Sequence, residues 1–197
     1  MLEEVFDIII IGAGPAGMFG GFYAGLRGMK VKLIDSLEQL GGQISAMYPE
    51  KDIYDVAGFP RVAGKELVKD LEEQLSRFHP TLSLGEKVTS LVKRPDQIFE
   101  LTTDKGLNHH SKTVVLTLGM GSFTPKKHPN PELMPFEGKG VNYGVLSLEP
   151  FKGKRVIIVG GGDSALDWAL MLEPIASHVM LLHRRDEFRA TNLPSKS

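Results

Sequence analysis

The segment FDIIIIGAGPAG, residues 6–17, specifies a strand, a sharp turn and the start of a helix. Phe6–Ile11 is an apolar, β-branched run, which is typical of a parallel strand covered on both faces. Gly12, Gly14 and Gly17 follow with the spacing G-x-G-x-x-G. In a dinucleotide-binding loop these glycines allow the tight turn, the approach of backbone to a pyrophosphate and close helix–strand packing, respectively. The segment therefore predicts a phosphate cradle at a helix N-terminus.

The residues after this loop support the same interpretation. A helix-like stretch runs to about Arg27, and a second strand, Lys30–Ile34, ends at Asp35. An acidic residue about 20 positions after the loop accepts hydrogen bonds from the ribose hydroxyls of a dinucleotide. The alternative is a glycine turn that binds no phosphate, but strand, loop, helix and acid all agree here.

The same pattern returns in GKRVIIVGGGDSALDWALMLEPIASHVMLLHRR, residues 153–185. Arg155–Val159 and His178–Leu182 read as strands, and Ser164–Glu173 reads as the helix between them. The turn is GGGDSA, residues 160–165, in which Ala165 replaces the last glycine, a permitted variant of the fingerprint. The chain therefore carries two dinucleotide loops.

The two copies differ at the end of the second strand. Where the first has Asp35, the second has His183, Arg184 and Arg185. A carboxylate would repel a ribose 2′-phosphate, whereas arginines pair with it through a bidentate fork. Arg189 lies one helical turn further and joins the set. We expect a free ribose in the first site and NADP in the second, although a solvated basic turn after a strand would look similar.

Two dinucleotide sites, one of them for NADP, indicate a flavoprotein reductase with FAD in the first site. The long loop after Asp35 is too irregular for a regular element, yet its aromatic residues argue against disorder. Gln43 could offer its amide to a flavin edge. Tyr48 could lie on the isoalloxazine ring or be a core aromatic under the loop.

The middle of the chain separates the two loops. Lys65–Phe78 has apolar residues at helical spacing and predicts a surface helix. Residues 82–118 read as a β-meander followed by a strand that returns to the sheet, with His109 and His110 in the turn before it. No third ligand accompanies these histidines, so we expect no metal site. A Gly/Pro-rich stretch follows, and we expect an FAD-binding domain in residues 1–120 and an NADP-binding domain in residues 121–197.

The bulk composition narrows the class of protein. The 197 residues carry a formal net charge of −1, which gives no support to nucleic acid or a membrane as partner. No apolar run approaches the roughly 20 residues that span a bilayer, and the acidic start argues for a cytoplasmic protein. The sequence contains no cysteine, which excludes thiol catalysis and Cys-ligated metal centres within it.

Four segments together closely resemble the thioredoxin-reductase-like ferredoxin–NADP⁺ reductases: IGAGPAG, LGGQISAMYPEKDIYDVAGFP, GGGDSALDWALMLEPIA and HRRDEFR. The resemblance covers Val5–Ala190. It implies an α/β fold with two Rossmann-like three-layer domains, in which the NADP domain is inserted into an FAD domain with a β-meander. It also implies a homodimer with ferredoxin as partner. Because one βαβ unit does not complete a doubly wound domain, we expect the chain to be incomplete at its C-terminus.

The resemblance also implies individual cofactor contacts. It assigns Asp35, Gln43, Tyr48, Val88 and Phe123 to FAD, with Tyr48 as the ring stacked on the flavin. It assigns the histidine and arginines of HRRDEFR to the NADP phosphate. The complete candidate set is Gly12, Gly14, Pro15, Ala16, Gly17, Asp35, Gln43, Tyr48, Val88, Phe123, Gly160, Gly162, Asp163, Ser164, Ala165, His183, Arg184, Arg185 and Arg189.

Thioredoxin reductases share this architecture and carry a CxxC pair shortly before the second loop. Gly144 and Ser147 stand where the two cysteines would lie, which excludes thioredoxin reduction by that route. The expected reaction passes hydride from NADPH to flavin N5 and then single electrons to an iron–sulfur protein, without a protein acid or base. One alternative is a reductase with the same cofactors that passes electrons to a flavodoxin or a quinone. The other is a flavin-binding module without turnover.

Overall fold

The computed structural model describes residues 4–121 and 127–188. The chain forms two compact units that divide between Leu146 and Ser147. This division lies C-terminal to the boundary expected at residues 120–121, so residues 127–146 group with the first unit.

The first unit is built on one mixed sheet. The strands of the whole unit are β1 (Val5–Ile11), β2 (Val31–Asp35), β3 (Asp52–Ile53), β4 (Val62–Ala63), β5 (Thr81–Leu84), β6 (Val88–Lys93), β7 (Phe99–Thr103) and β8 (Asn108–Leu116). Strands β3 and β4 form a separate pair outside the sheet. Its helices are α1 (Pro15–Leu26), α2 (Gln43–Met47) and α3 (Gly64–Ser76), followed by a 3₁₀ turn at Pro131–Phe136. Six strands pair in the order β5-β2-β1-β8-β7-β6, parallel from β5 to β8 and antiparallel from β8 to β6. The Rossmann-like α/β fold with a meander is confirmed.

Strand β1 is central because it buries side chains on both faces. Ile10 packs with Leu33 and Leu75 in the cluster that also holds buried residues of α1 and α3. Ile9 points to the other face and packs with Leu101 of the meander in a second cluster. Both isoleucines have no solvent-exposed surface. This double burial explains why Ile8–Ile11 is an unbroken apolar run rather than an alternating one.

The strand that returns to the sheet begins earlier in the sequence than expected. A single strand, β8, pairs antiparallel with β7 through its first residues and parallel with β1 along the rest. His109 and His110 therefore lie in a strand and are buried, and the prediction that they lie in a turn was wrong. The buried carboxylate of Glu86 contacts His109, which compensates for the burial of a polar ring.

The loop between β2 and α3 contains more regular structure than expected. It forms α2 and the short antiparallel pair β3–β4. Ile44 and Val62 are buried in the core cluster of the first unit, and Tyr48 packs against that cluster. These apolar anchors hold an otherwise polar, glycine-rich segment in place.

The second unit repeats the strand–helix–strand pattern. Strands β9 (Arg155–Val159) and β10 (His178–Leu182) pair in parallel, with α4 (Asp163–Leu172) between them and a 3₁₀ turn at Glu149–Phe151 before them. Both strands have the predicted bounds, and the helix begins one residue earlier than predicted. Within the two described ranges, no helix is long and apolar enough to cross a bilayer.

Candidate functional site

The first glycine loop lies where β1, β2 and β8 end. The N–H of Gly12 donates to the carbonyl of Ile34 at 2.8 Å, which ties the loop to β2. The N–H of Gly41 donates to the carbonyl of Ala13 at 2.9 Å, which ties the loop to the segment before α2. The backbone of the loop is thus held by its neighbours before any ligand is present.

Asp35 is bound to the same loop. Its Oδ2 accepts a hydrogen bond from the N–H of Ala13 at 2.6 Å, and its Oδ1 accepts one from the N–H of Leu37 at 2.8 Å. A carboxylate offers about four lone-pair positions. Two of them remain for the two hydroxyls of a ribose, which fits the role predicted for Asp35.

The glycines of the first loop differ in the space around them. A β-carbon on Gly17 would overlap the carbonyl oxygen of Gly12, so the third glycine is required by packing. A β-carbon on Gly14 would meet only the Cα of Gly42, at 3.8 Å. Gly14 caps α1 and Pro15 opens it, so the N–H groups of Ala16 and Gly17 lie in a first turn that has no intrahelical acceptors. This arrangement fits a pyrophosphate, whose charge the positive end of the helix dipole stabilises.

The other candidate flavin contacts fall into two groups. Gln43 opens α2, and its Nε2 would lie 3.0 Å from a β-carbon on Gly119, just beyond β8, so it belongs to the loop cluster. Tyr48 is half-buried and packs against the first core cluster, while Val88 begins β6 and packs against the second. Their flavin contacts stay predictions. Phe123 lies outside the described residues.

The second glycine loop has the same connection to its strands. The N–H of Gly160 donates to the carbonyl of Leu182 at 3.0 Å, and Gly162 caps α4. A β-carbon on Gly162 would meet nothing within 4 Å, so its backbone is open to a ligand. Asp163, Ser164 and Ala165 form the first turn of α4.

His183 has a packing role that the sequence did not suggest. Its ring lies against the backbone of Gly161 and stacks on Phe188, with ring centroids 5.6 Å apart. Its Nε2 is buried and, in the part of the chain that the structure describes, has no hydrogen-bond partner. Arg184 and Arg185 are exposed beside it. Exposed guanidinium groups are suited to an anionic ligand. Arg189 lies outside the described residues.

Two features of the first unit were missed by the sequence reasoning. Thr117, just after β8, hydrogen-bonds to the first glycine loop. Lys32, Glu86 and His109 form a buried polar chain across the sheet. The partners in both features are far apart in sequence, so no local pattern reveals them. Residues 4–121 and 127–188 contain no group of three or more side chains suited to hold a metal ion.

Comparison with known proteins agrees with this geometry. Residues 6–196 match the family described as "Pyridine nucleotide-disulphide oxidoreductase". The chain belongs to this family. It is 56% identical over 188 residues to the "Ferredoxin--NADP reductase" of Geobacillus thermodenitrificans. It is 53% identical over 187 residues to "Ferredoxin--NADP reductase 2" of Bacillus subtilis. Each match covers 95% of this chain and 56% of the relative.

A solved thioredoxin reductase from T. acidophilum superposes with a TM-score of 0.78 at 27% identity, covering 96% of this chain and 60% of that one. The hydroxyl of Ser147, one of the two residues expected at the position of the CxxC pair, accepts a hydrogen bond from the N–H of Glu149 at 3.4 Å.

Proposed function

We propose that the chain carries the FAD and NADP sites of a ferredoxin–NADP⁺ reductase. The observation that carries the proposal is the contrast between two equivalent positions. Strand β2 ends in Asp35, which accepts a hydrogen bond from the first glycine loop. Strand β10, which follows the second glycine loop, is followed by the exposed Arg184 and Arg185. A carboxylate selects a free ribose and arginines select a 2′-phosphate.

The residues of the chain bind and orient the two cofactors. The first-turn N–H groups of α1 and α4 hold the pyrophosphates, and Asp35 holds the ribose of FAD. Arg184, Arg185 and Arg189 hold the 2′-phosphate of NADP. Tyr48 positions the flavin ring, and Gln43 and Phe123 contact it. Bound FAD supplies the conversion of two-electron into one-electron chemistry, so no protein acid or base is required.

Ferredoxin as acceptor is supported by the names of the relatives at 52–56% identity and by the absence of cysteine in this chain. The chain spans just over half the length of those relatives. The proposal therefore concerns the whole protein, and it includes a homodimer, as the family resemblance implies, and a cytoplasmic location.

The acceptor is tested by NADPH oxidation with ferredoxin, flavodoxin, thioredoxin and a quinone compared side by side. We expect turnover with ferredoxin and none with thioredoxin. Thioredoxin reduction at a rate comparable to that of ferredoxin would refute the assignment. A strong preference for quinone or flavodoxin would mean that this compound, and not ferredoxin, is the acceptor.

The nucleotide preference is tested by Arg184→Ala, with NADPH and NADH measured in the same buffer. Hydrogen bonds to charged groups are worth roughly 1.5–3 kcal/mol, so NADPH binding should weaken about ten- to a hundredfold. NADH, which has no 2′-phosphate, should bind as before. Equal losses for both nucleotides would mean that the arginine supports the fold.

A further inference from the structure

The peptide that joins Gly12 to Ala13 is held from both sides. Its carbonyl oxygen, on Gly12, accepts a hydrogen bond from Thr117 Oγ1 at 2.8 Å. Its N–H, on Ala13, donates to Asp35 Oδ2 at 2.6 Å. One peptide plane is therefore fixed between the end of β8 and the end of β2, which are the two strands that flank β1.

Thr117 also closes the space under the loop. Its Oγ1 lies 3.0 Å from the carbonyl oxygen of Ile11, and its N–H donates to that same oxygen at 2.8 Å. A β-carbon on Gly17 would approach Thr117 Oγ1 to 2.9 Å. The first and third glycines of the loop thus pack against this one side chain.

Gly12 has a φ of 106°, a conformation that glycine adopts without strain and leaves just as readily. Without the Thr117 hydroxyl, the Gly12 carbonyl would lose a partner, and the peptide could rotate. Rotation would withdraw the Ala13 N–H from Asp35. The carboxylate that receives the ribose would then lose one of the two donors that fix its position.

We propose that Thr117 is a positioning residue of the first dinucleotide site, and that its hydroxyl orients the Gly12–Ala13 peptide and, through it, Asp35. The inference rests on the proposed function for the identity of the ligand, FAD. The orientation of the peptide itself can be measured without any ligand.

The test compares Thr117→Val, which removes the hydroxyl and keeps the branched shape, with Thr117→Ser, which keeps the hydroxyl. The matched control is Thr113→Val. Thr113 lies on β8, the strand that ends just before Thr117, and its hydroxyl donates to the carbonyl of Asp7 on β1 at 2.7 Å, away from the glycine loop. FAD is titrated into the flavin-depleted protein, and binding is followed by flavin fluorescence.

Thr117→Val should weaken FAD binding about tenfold, because one hydrogen bond to a partly buried carbonyl is lost. Thr117→Ser should restore wild-type binding, and Thr113→Val should leave it unchanged. Hydrogen exchange at the Ala13 amide supplies a readout without ligand. It should be faster in Thr117→Val and unchanged in the other two variants.

The proposal fails if Thr117→Val binds FAD like the wild type, or if Thr113→Val weakens binding equally. The second result would assign the effect to the β1–β8 pair as a whole. If Thr117→Val does not fold, Thr117→Ala provides a second variant without the hydroxyl. Failure of the wild-type protein to bind FAD would refute the proposed function, while the exchange rate at Ala13 would still test the peptide's orientation.

Discussion

At the scale of single residues, the glycines of the second loop have roles that the motif alone does not describe. In the pattern G-x-G-x-x-A, Gly161 occupies a variable position, yet the ring of His183 lies against its backbone. Gly162 occupies a required position, yet a β-carbon there would meet nothing within 4 Å of the protein. Gly161 is required by the packing of the protein, and Gly162 by the approach of a ligand.

This difference gives a paired prediction. Gly161→Ala should displace His183 and destabilise the second unit by about 1–3 kcal/mol, as overpacking does. Gly162→Ala should change the free energy of unfolding by less than about 1 kcal/mol, since alanine is accommodated at a φ of −101°. It should nevertheless weaken NADPH binding, because the added methyl group blocks the approach of the pyrophosphate to the backbone. Urea unfolding and NADPH titration of both variants check this, and identical behaviour would contradict it.

At the scale of elements, α1 packs on α3 and on the sheet through its glycines. A β-carbon on Gly21 would lie 2.8 Å from Leu75 Cδ1 and 3.1 Å from Leu33 Cδ1. Both leucines are buried in the core, so neither can move away without disturbing it. The neighbouring Gly20 has its closest contact at an ordinary 3.5 Å, from Ile10 Cδ1.

Gly20→Ala and Gly21→Ala should therefore have opposite effects. Alanine raises helix propensity by up to about 1 kcal/mol over glycine, and Gly20→Ala should gain part of that stability. Gly21→Ala should lose about 1–3 kcal/mol, because the added methyl group overfills the α1–α3 contact. Chemical denaturation of both variants measures the difference. Stabilisation by Gly21→Ala would mean that the two helices are not closely packed.

The elements with strong local patterns were predicted well and β8 was not. Both glycine-loop units, and the helix after β4, follow from runs of apolar residues at strand or helix spacing. The first half of β8 reads NHHSK, a polar sequence that resembles a turn. It is a strand because partners elsewhere in the sequence satisfy its histidines: Glu86 contacts His109, and Glu100 contacts His110. Local periodicity contains no information about such partners.

At the scale of the first unit, a buried polar chain connects three separate parts of the sequence. Lys32 Nζ lies 2.9 Å from His109 Nδ1, and His109 Nε2 lies 2.9 Å from Glu86 Oε2. An ammonium group only donates and an ionised carboxylate only accepts, so with both of these groups charged Nδ1 accepts and Nε2 donates. Burial lowers the pKa of Lys32, an effect that the negative charges of Glu4 and Glu86 oppose. The chain thus joins β2, β8 and the turn after β5 through the imidazole ring of His109.

Removing the carboxylate at the end of this chain should be costly. Glu86→Ala leaves His109 and Lys32 buried without their anionic partner and should destabilise the protein by about 3 kcal/mol. Glu100→Ala is the matched control, since Glu100 also contacts a histidine, His110, but is 37% exposed. Its loss should cost no more than about 1 kcal/mol. The free energies of unfolding in urea decide between them, and equal losses would show that burial of the Glu86 contact contributes nothing.

The candidate site was predictable to the extent that its residues follow one another in sequence. The two loops, Asp35 and the arginines after β10 form short motifs whose spacing reflects their geometry. Thr117 and the packing of His183 on Gly161 were not predictable. Each depends on a contact made by folding, in which the chemical type of one residue does not indicate the position of the other.

The dependence of the first loop on Thr117 also sets an order of events during synthesis. Gly12 precedes Thr117 by 105 residues. A ribosome adds about 5–20 residues per second, so the loop waits about 5–20 seconds for the residue that completes it. Throughout that time the edge of β1 that pairs with β8 has no partner, and an apolar strand with an open edge is prone to aggregation. We therefore expect nascent chains that stop before Thr117 to depend on chaperones that shield β1, and to capture flavin only after the ribosome has passed that codon.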